Sequence, residues 1–331
     1  MTTPAKAVED HPAAWFGRDL QTRSDWIHHL TAAELDELDA AIRALAASGK
    51  PLAKMTTADY PLLHLGAAVD AWRKTLESGR GFFLIRGFPV RKYTAEHAAL
   101  AYWIIGTHLG EPVSQNSDGD LLGHVRDTGV RPNSLETRLY KTRAELTFHT
   151  DGADIIGLFC LRKAKSGGVS RIASSVAVYN EIVRRRPDLA PLLYEAFPNY
   201  MPGPPGKRGS IFNYPIVTIR DDAFRMLFLG WYIRDSQSLP GTPRLTAQQL
   251  EVVDLLERIP NEPGMALDMQ FAEGDMQFLK NSVILHARTD YEDAAEPDEK
   301  RHLLRLWLTA PSFRDGDDAL RKGVAVQNQT R

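Results

Sequence analysis

The stretch Phe148-His149-Thr150-Asp151-Gly152 leads into an almost continuous apolar run, Ile155-Ile156-Gly157-Leu158-Phe159-Cys160-Leu161. A run of this length and composition is typical of a buried β-strand. Side chains on an extended segment point to the same side at every second residue, so His149 and Asp151 are expected to face the same way. A neutral imidazole and a carboxylate held in this manner supply two ligands for a divalent metal ion.

A third ligand is expected from His286, in the stretch Asn281-Ser282-Val283-Ile284-Leu285-His286-Ala287-Arg288. Together with His149 and Asp151 it completes a two-histidine, one-carboxylate triad, which binds ferrous iron on one face and leaves the opposite positions open for a cosubstrate and oxygen. The triplet His-x-Asp is common by chance, and a salt bridge would also satisfy a carboxylate near the core. The prediction therefore requires the three side chains to meet in space.

The composition indicates a globular protein that acts on small molecules. The chain has 331 residues, 43% hydrophobic and 25% charged, with a formal net charge of −2. The interspersed charges indicate no nucleic-acid or membrane partner, and no apolar run reaches the roughly 18 residues of a membrane span. Cys160 is the single cysteine, which suits a reducing compartment. With no visible secretory signal, we expect a cytoplasmic location, and a homo-oligomer is compatible with the sequence.

Helical and strand patterns alternate along the chain. Apolar spacing predicts helices at 31–47, 62–77, 94–109, 176–186, 189–197 and 246–258, the first of them with a capping box at its start. Strands are expected at 82–85, 155–161, 169–174, 265–269, 276–279, 282–286 and 302–308, and a hairpin with arms 212–220 and 224–231. Many short strands with few helices, and ligands on strands far apart in sequence, predict a mostly β, α+β fold: a double-stranded β-helix (jelly roll) braced by helices.

Three regions are expected along the chain. Residues 1–80 form a helical extension packed on the core, residues 81–315 form the jelly-roll domain, and residues 316–331 form a loose tail. Within the domain, residues 113–147 are polar and weakly patterned. A long irregular segment inside a compact domain is usually functional or mobile. Because it leads directly into His149, we interpret it as a lid over the substrate, with a disordered surface excursion as the alternative.

The stretch Arg301-His302-Leu303-Leu304-Arg305-Leu306-Trp307-Leu308 places two guanidinium groups on one face of an expected core strand. A buried guanidinium requires an anion, and its planar fork fits a carboxylate. The structural alternative is that Arg301 and Arg305 pair with acidic residues in the segment 292–299. For Arg288, two positions beyond His286, the structural interpretation is the stronger one.

The motifs of interest are His149-x-Asp151, Ser166-Gly167-Gly168-Val169-Ser170, Gly274-Asp275, Asn281, His286-Ala287-Arg288 and Arg301-x-x-x-Arg305. As a combination they resemble the taurine dioxygenase-like (TauD/TfdA) family of iron(II)- and 2-oxoglutarate-dependent oxygenases, which have the clavaminate synthase-like fold. The likeness extends from about Phe82 to Pro311. The first eighty residues add little to it.

The resemblance implies Fe(II), 2-oxoglutarate and O2 as cofactor and cosubstrates. It implies a catalytic iron bound by His149, Asp151 and His286. On this resemblance Arg305 pairs with the distal carboxylate of 2-oxoglutarate. Ser170 stands where the family usually has threonine, so a hydroxyl is kept for the same carboxylate.

The reaction implied is oxidation, chiefly hydroxylation, of an unactivated C–H bond in a small anionic substrate such as an amino acid. Arg301 matches a position that contacts the anionic end of the substrate, and Gln115 and Asn116 are candidate polar contacts in the lid. The same cofactors also allow desaturation or oxidative cyclisation. Two other classes remain open: a zinc-dependent hydrolase with the same ligands, although no nearby glutamate stands out as general base, and a binding module with a vestigial metal site.

Overall fold

The computed structural model describes residues 5–130, 139–203, 209–313 and 315. Within these ranges the helices are α1 (Gly17–Leu20), α2 (Ala32–Ser48), α3 (Gly66–Ser78), α4 (Ala95–Leu109), α5 (Ser175–Arg185), α6 (Gly230–Ser236) and α7 (Ala247–Arg258). The strands are β1 (Ile27–His29), β2 (Phe82–Arg86), β3 (Glu111–Pro112), β4 (Leu122–Val125), β5 (Leu146–His149), β6 (Ile155–Arg162), β7 (Ser166–Gly167), β8 (Ser170–Ser174), β9 (Ala196–Met201), β10 (Ser210–Pro215), β11 (Val217–Arg220), β12 (Ala223–Met226), β13 (Ala266–Met269), β14 (Met276–Lys280), β15 (Ile284–Arg288), β16 (Tyr291–Glu292) and β17 (His302–Thr309).

Two β-sheets form the centre of the fold. The larger sheet has the strand order β1-β2-β14-β6-β17-β3, with β4 also paired to β17, and the smaller has the order β13-β8-β15-β5. Apart from the parallel pair β1–β2, neighbouring strands in both sheets are antiparallel. Strands close in sequence alternate between the sheets, as a jelly roll requires. This is the double-sheet arrangement predicted from the sequence.

Helices α2, α3 and α4 cover one face of the larger sheet. Their apolar side chains form a continuous cluster with those of the sheet, including Ile42, Trp72, Ile104, Phe278 and Leu306. α4 approaches β17 closely at Gly106, where an added Cβ would lie 2.5 Å from Cδ1 of Leu306. This cluster contains side chains from both sides of residue 80. The division into residues 1–80 and 81–315 stays a prediction.

A second apolar cluster joins the smaller sheet to α5 and α7 and reaches the larger sheet. Its members include Ile172 and Ile284 from the smaller sheet and Ile156 and Trp307 from the larger one. The two sheets therefore share a packed interior. Metal-ligating groups at the edge of such an interior are shielded from water.

Local signals correctly placed several elements. Thr31 and Glu34 form the expected capping box at the start of α2. β11 and β12 form the expected hairpin, with Asp221 and Asp222 at φ 48° and 63° in its turn. Both arms are shorter than predicted. Residues 212–215 of the first arm belong to β10, which pairs with β9, and the second arm ends at Met226, before helix α6.

The segment 113–147 is partly ordered on the larger sheet. β4 pairs with β17 from Leu122 opposite Leu306 to Val125 opposite Leu303. This part of the segment is therefore not a structureless excursion, whereas its role as a lid stays a prediction. Residues 131–138 of the segment and the predicted tail 316–331 lie outside the described residues. Among the helices that are described, none is long and apolar enough to cross a membrane.

Candidate active site

The three predicted metal ligands meet between β5 and β15. His149 lies directly opposite His286 in the antiparallel pair, and their ring centroids are 4.2 Å apart. Oδ2 of Asp151 lies 3.5 Å from Nε2 of His286. One ligand atom from each residue lies within 4.8 Å of the other two. Side chains from distant parts of the sequence thus form one compact donor set.

The chemistry of this donor set fits a divalent metal ion. Nδ1 of His149 lies 2.7 Å from the carbonyl oxygen of Thr147 and donates to it, which leaves Nε2 with a free lone pair. Burial, followed by the neighbouring His286, lowers the pKa of His149 to about 3. The imidazole is therefore neutral at physiological pH, which is its metal-binding form. Nδ1 of His286 is buried and has no hydrogen-bond partner among the described residues.

Asp151 is held by its backbone and by its carboxylate. Oδ1 of Asn281 accepts a 2.8 Å hydrogen bond from the Asp151 amide, and Nδ2 of Asn281 donates to the Asp151 carbonyl at 2.7 Å. Nε1 of Trp307 donates to Oδ2 of Asp151 at 3.2 Å. Burial by itself raises the pKa of Asp151, but Arg305 and His286 more than offset this and hold the pKa below its usual value. The carboxylate is therefore ionised, as a metal ligand must be.

Arg305 lies beside the Asp151 carboxylate. Its Nη1 is 3.7 Å from Oδ2 of Asp151, and its Nε donates to Oε1 of Gln115 at 2.7 Å. Nε2 of Gln115 donates to the carbonyl oxygens of Arg305 at 2.7 Å and Leu121 at 2.9 Å. The guanidinium carbon of Arg305 lies 4.5 Å from the ring centroid of Tyr140 and 5.1 Å from that of Trp307. Gln115 thus contributes to the site indirectly, because it holds the Arg305 side chain in position.

Asn116, the other candidate polar contact, makes its hydrogen bonds within a turn. Its Oδ1 accepts from the amides of Asp118 and Asp120 at 3.1 Å each, and its Nδ2 donates to the Asp120 carboxylate at 2.7 Å. These bonds shape the chain before β4. The neighbouring positions 115 and 116 therefore have different structural roles.

Arg301 is deeply buried beside Tyr291. Its guanidinium carbon is 4.9 Å from the ring centroid of Tyr291. Gly168, at φ +67°, makes room for it, because an added Cβ would lie 3.1 Å from Nε of Arg301. Among the described residues no carboxylate oxygen lies within 4.0 Å of this guanidinium, so the acidic partner of the structural alternative is not found there. Burial lowers the pKa of Arg301, although a guanidinium remains charged at neutral pH.

Ser170 lies on β8 of the smaller sheet, two residues beyond Gly168. It stands opposite Arg288 in the β8–β15 pair, and its hydroxyl contacts the side-chain amide of Gln277 at 3.3 and 3.4 Å. Ser170 is buried. Ser170 stands opposite Arg288 and lies two residues beyond Gly168, which lies against Arg301.

Two aromatic residues of the site were not predicted. Trp307 was detectable, because it lies two positions beyond Arg305 and therefore on the same face of β17. Tyr140 had no sequence signal, since it lies in the weakly patterned segment 113–147. Both pack against the guanidinium of Arg305.

Comparison with known sequences identifies relatives along most of the chain. It is 31% identical over 315 residues to FR-33289 synthase from Streptomyces rubellomurinus, covering 91% of this chain and 90% of the relative. It is 30% identical over 308 residues to the taurine hydroxylase-like protein SAT17 from Stachybotrys chartarum, covering 88% of this chain and 77% of the relative.

Solved structures show the same fold. An asparagine oxygenase in complex with Fe(II), 2S,3S-3-hydroxyasparagine and succinate matches with a TM-score of 0.61 at 18% identity, covering 86% of this chain and 93% of that one. The non-heme iron oxygenase OrfP in complex with Fe and alpha-ketoglutaric acid matches with a TM-score of 0.60 at 19% identity, covering 86% and 94%. At this identity the likeness establishes the fold, and the predicted jelly-roll class is confirmed.

The model of one protein family, described as taurine catabolism dioxygenase TauD, TfdA family, matches residues 42–307. The match extends further toward the N terminus than the motifs indicated, into α2. The expected enzyme class and cofactors are confirmed: this is a non-haem iron dioxygenase that uses 2-oxoglutarate. The chain belongs to the taurine catabolism dioxygenase TauD, TfdA family.

Proposed function

We propose that this dioxygenase hydroxylates a small, anionic, amino-acid-like molecule, and that His149, Asp151 and His286 hold its iron. The observation that carries the proposal is the convergence of these three ligands beside Arg305, whose Nη1 lies 3.7 Å from Asp151. When bound, iron and 2-oxoglutarate activate oxygen toward a C–H bond, and the keto acid becomes succinate. The protein orients the substrate and excludes water from the site.

The surroundings of the two arginines support the reverse of the roles expected from the sequence. 2-Oxoglutarate would chelate the metal through oxygen atoms on its first two carbons, so its distal carboxylate would lie away from the metal. Arg305 lies next to a proposed metal ligand, whereas Arg301 lies four residues earlier, just before β17, about 13 Å away along an extended chain. We therefore assign Arg301, with Ser170 nearby, to the distal carboxylate of 2-oxoglutarate. Arg305 is assigned to the substrate anion.

Arg305 is suited to an anionic substrate by its environment. Tyr140 and Trp307 pack against its guanidinium and Gln115 fixes its Nε, so the Nη atoms remain for an anion. The name of one relative refers to taurine, and one structural neighbour holds 3-hydroxyasparagine. Both are small molecules with an amino and an anionic group. The proposed negative charge of the substrate is based on Arg305, and its proposed small size is based on these two molecules.

The test is a panel of amino acids, aminosulfonates and aminophosphonates incubated with Fe(II), 2-oxoglutarate and oxygen. We expect one class to stimulate succinate release and to gain one oxygen atom in the mass spectrum. Loss of two hydrogens instead would indicate desaturation or cyclisation. Turnover that is supported by zinc and independent of oxygen would contradict the proposal and favour hydrolysis.

We further propose a cytoplasmic enzyme whose partners are small molecules, without nucleic-acid or membrane partners. Cys160 is the single cysteine of the chain, which suits a reducing compartment. Cell fractionation tests the location. Light scattering coupled to gel filtration tests whether the protein forms a homo-oligomer.

A further inference from the structure

Arg288 and Arg301 form a pair of buried cations that lack an anion. Each side chain belongs to a residue that is 5% exposed, and each guanidinium carbon lies 4.9 Å from the ring centroid of Tyr291. Nη1 of each arginine and the hydroxyl of Tyr291 are buried without a hydrogen-bond partner in the described part of the chain. No carboxylate there lies within 4.0 Å of either guanidinium. A buried cation without a counter-ion is costly, which indicates a binding site for an anion.

The position of Arg288 relates this pocket to the metal ligands. Arg288 lies two residues beyond His286 on β15, so the two side chains share a face and are separated by about 6.6 Å along the strand. The regular pairing with β8 supports this alternation, because His286 stands opposite Ile172 and Arg288 opposite Ser170. A five-carbon keto acid chelated beside His286 spans a similar distance with its distal carboxylate.

We infer that Arg288 is a second cosubstrate-binding arginine, whose Nη1 joins Arg301 in binding the distal carboxylate of 2-oxoglutarate. This inference rests on the proposed function. One carboxylate between two guanidinium groups supplies the missing hydrogen-bond acceptors and offsets part of the buried positive charge. The sequence favoured a structural role for Arg288. On this inference Arg288 also binds the cosubstrate.

The same guanidinium also contacts the segment that leads into β5. Nη2 of Arg288 donates to the carbonyl oxygens of Thr142, at 3.0 Å, and Ala144. Tyr140, two residues before Thr142, packs against Arg305. Arg288 thus connects the cosubstrate pocket to the chain that covers the proposed substrate anion. We expect bound 2-oxoglutarate to slow amide hydrogen exchange in residues 140–145.

The experiment compares two keto acids that share a chelating end. 2-Oxoglutarate has a distal carboxylate and 2-oxopentanoate has none. Binding of each to the full-length protein loaded with Mn(II) is measured by anaerobic titration calorimetry, without turnover. We expect Arg288→Gln to weaken 2-oxoglutarate binding roughly ten- to hundredfold and to leave 2-oxopentanoate binding unchanged.

Arg171→Gln is the matched control. Arg171 lies on the other face of β8, where its Nε donates to Asp268 at 2.9 Å and its Nη1 to Asn261 at 2.8 Å. This variant should bind both keto acids like the wild type. If Arg288→Gln does not fold, Arg288→Lys is used instead, because lysine keeps the charge and lacks the planar fork. Binding of 2-oxoglutarate to this variant is expected to be roughly tenfold weaker.

Two results would overturn the inference: equal weakening of both keto acids, or unchanged 2-oxoglutarate binding in the Arg288 variants. The first would mean that Arg288 acts on the metal site through structure alone. Failure of the proposed function has a different signature, because the wild type itself would then bind 2-oxoglutarate no more tightly than 2-oxopentanoate.

Discussion

Oε1 of Gln115 accepts a 2.7 Å hydrogen bond from Nε of Arg305, and the amide nitrogen of Gln115 donates to the Arg305 carbonyl oxygen at 2.7 Å. Both residues are buried. The first bond restricts the orientation of the guanidinium, whose Nη1 lies 3.7 Å from Oδ2 of Asp151, and the second holds Gln115 against β17. A residue in the segment 113–147 therefore determines how the site presents its positive charge.

Gln115→Leu should lower the free energy of unfolding by about 1–3 kcal/mol, because the buried Nε of Arg305 and two carbonyl oxygens lose their partner. Guanidinium-induced unfolding measures the change. Asn116→Ala is the adjacent control, and a loss below about 1 kcal/mol is expected because its bonds lie in an exposed turn. Equal losses at the two positions would contradict a specific role for Gln115.

Arg301→Lys and Arg305→Lys should separate the two anion sites. The first should raise KM for 2-oxoglutarate about tenfold or more and leave KM for the organic substrate unchanged, because Lys lacks the planar fork. Arg305→Lys should raise KM for the organic substrate about tenfold or more and leave KM for 2-oxoglutarate unchanged. Initial rates of succinate release, with each component varied in turn, provide the measurement. The inverse pattern would restore the roles expected from the sequence.

Asp151→Ala should abolish iron binding and succinate formation, because it removes a charged ligand from the triad. Asn281→Ala should weaken metal binding roughly ten- to hundredfold, since Asn281 orients the Asp151 backbone. Iron content after dialysis is the measurement. Asp268→Asn is the control, because Asp268 pairs with Arg171 away from the triad. Full turnover in Asp151→Ala would refute the assigned metal centre.

Acidification should destabilise the protein through His302. Burial, then His124, Arg162 and Arg126, lowers the pKa of His302 to about 4 from 6.5, and His124 Nδ1 lies 2.8 Å from His302 Nε2. Between these pKa values the unfolded chain binds a proton that the folded protein does not. The contribution to stability is present above pH 6.5 and is lost as the pH falls toward 4, by at most about 1.4 kcal/mol per pH unit.

The variant His302→Gln should show a smaller loss of stability than the wild type between pH about 7 and pH about 5, measured by urea unfolding. His29→Gln, at an exposed position of β1, should leave the pH dependence unchanged. A wild-type slope that persists in His302→Gln would assign the effect to other groups.

Signals that act over a few residues were sufficient for much of the fold. The capping box of α2, the hairpin turn at Asp221-Asp222 and the apolar strand β6 follow from local backbone and side-chain preferences. β1 and β4 were missed because short edge strands have weak patterns and depend on their partners β2 and β17. The predicted boundary at residue 80 stays a prediction, and one apolar cluster contains side chains from both sides of it.

The sequence alone predicted which side chains share a face, such as His149 with Asp151, because the two-residue period of a strand is a local property. Only the tertiary structure decided which of these faces meet. Antiparallel pairing of β5 with β15 brings His286 to His149 and Asp151, and the different surroundings of Arg301 and Arg305 are the basis of the anions proposed for them. Strand pairing depends on contacts between residues far apart in sequence, which a local pattern does not encode.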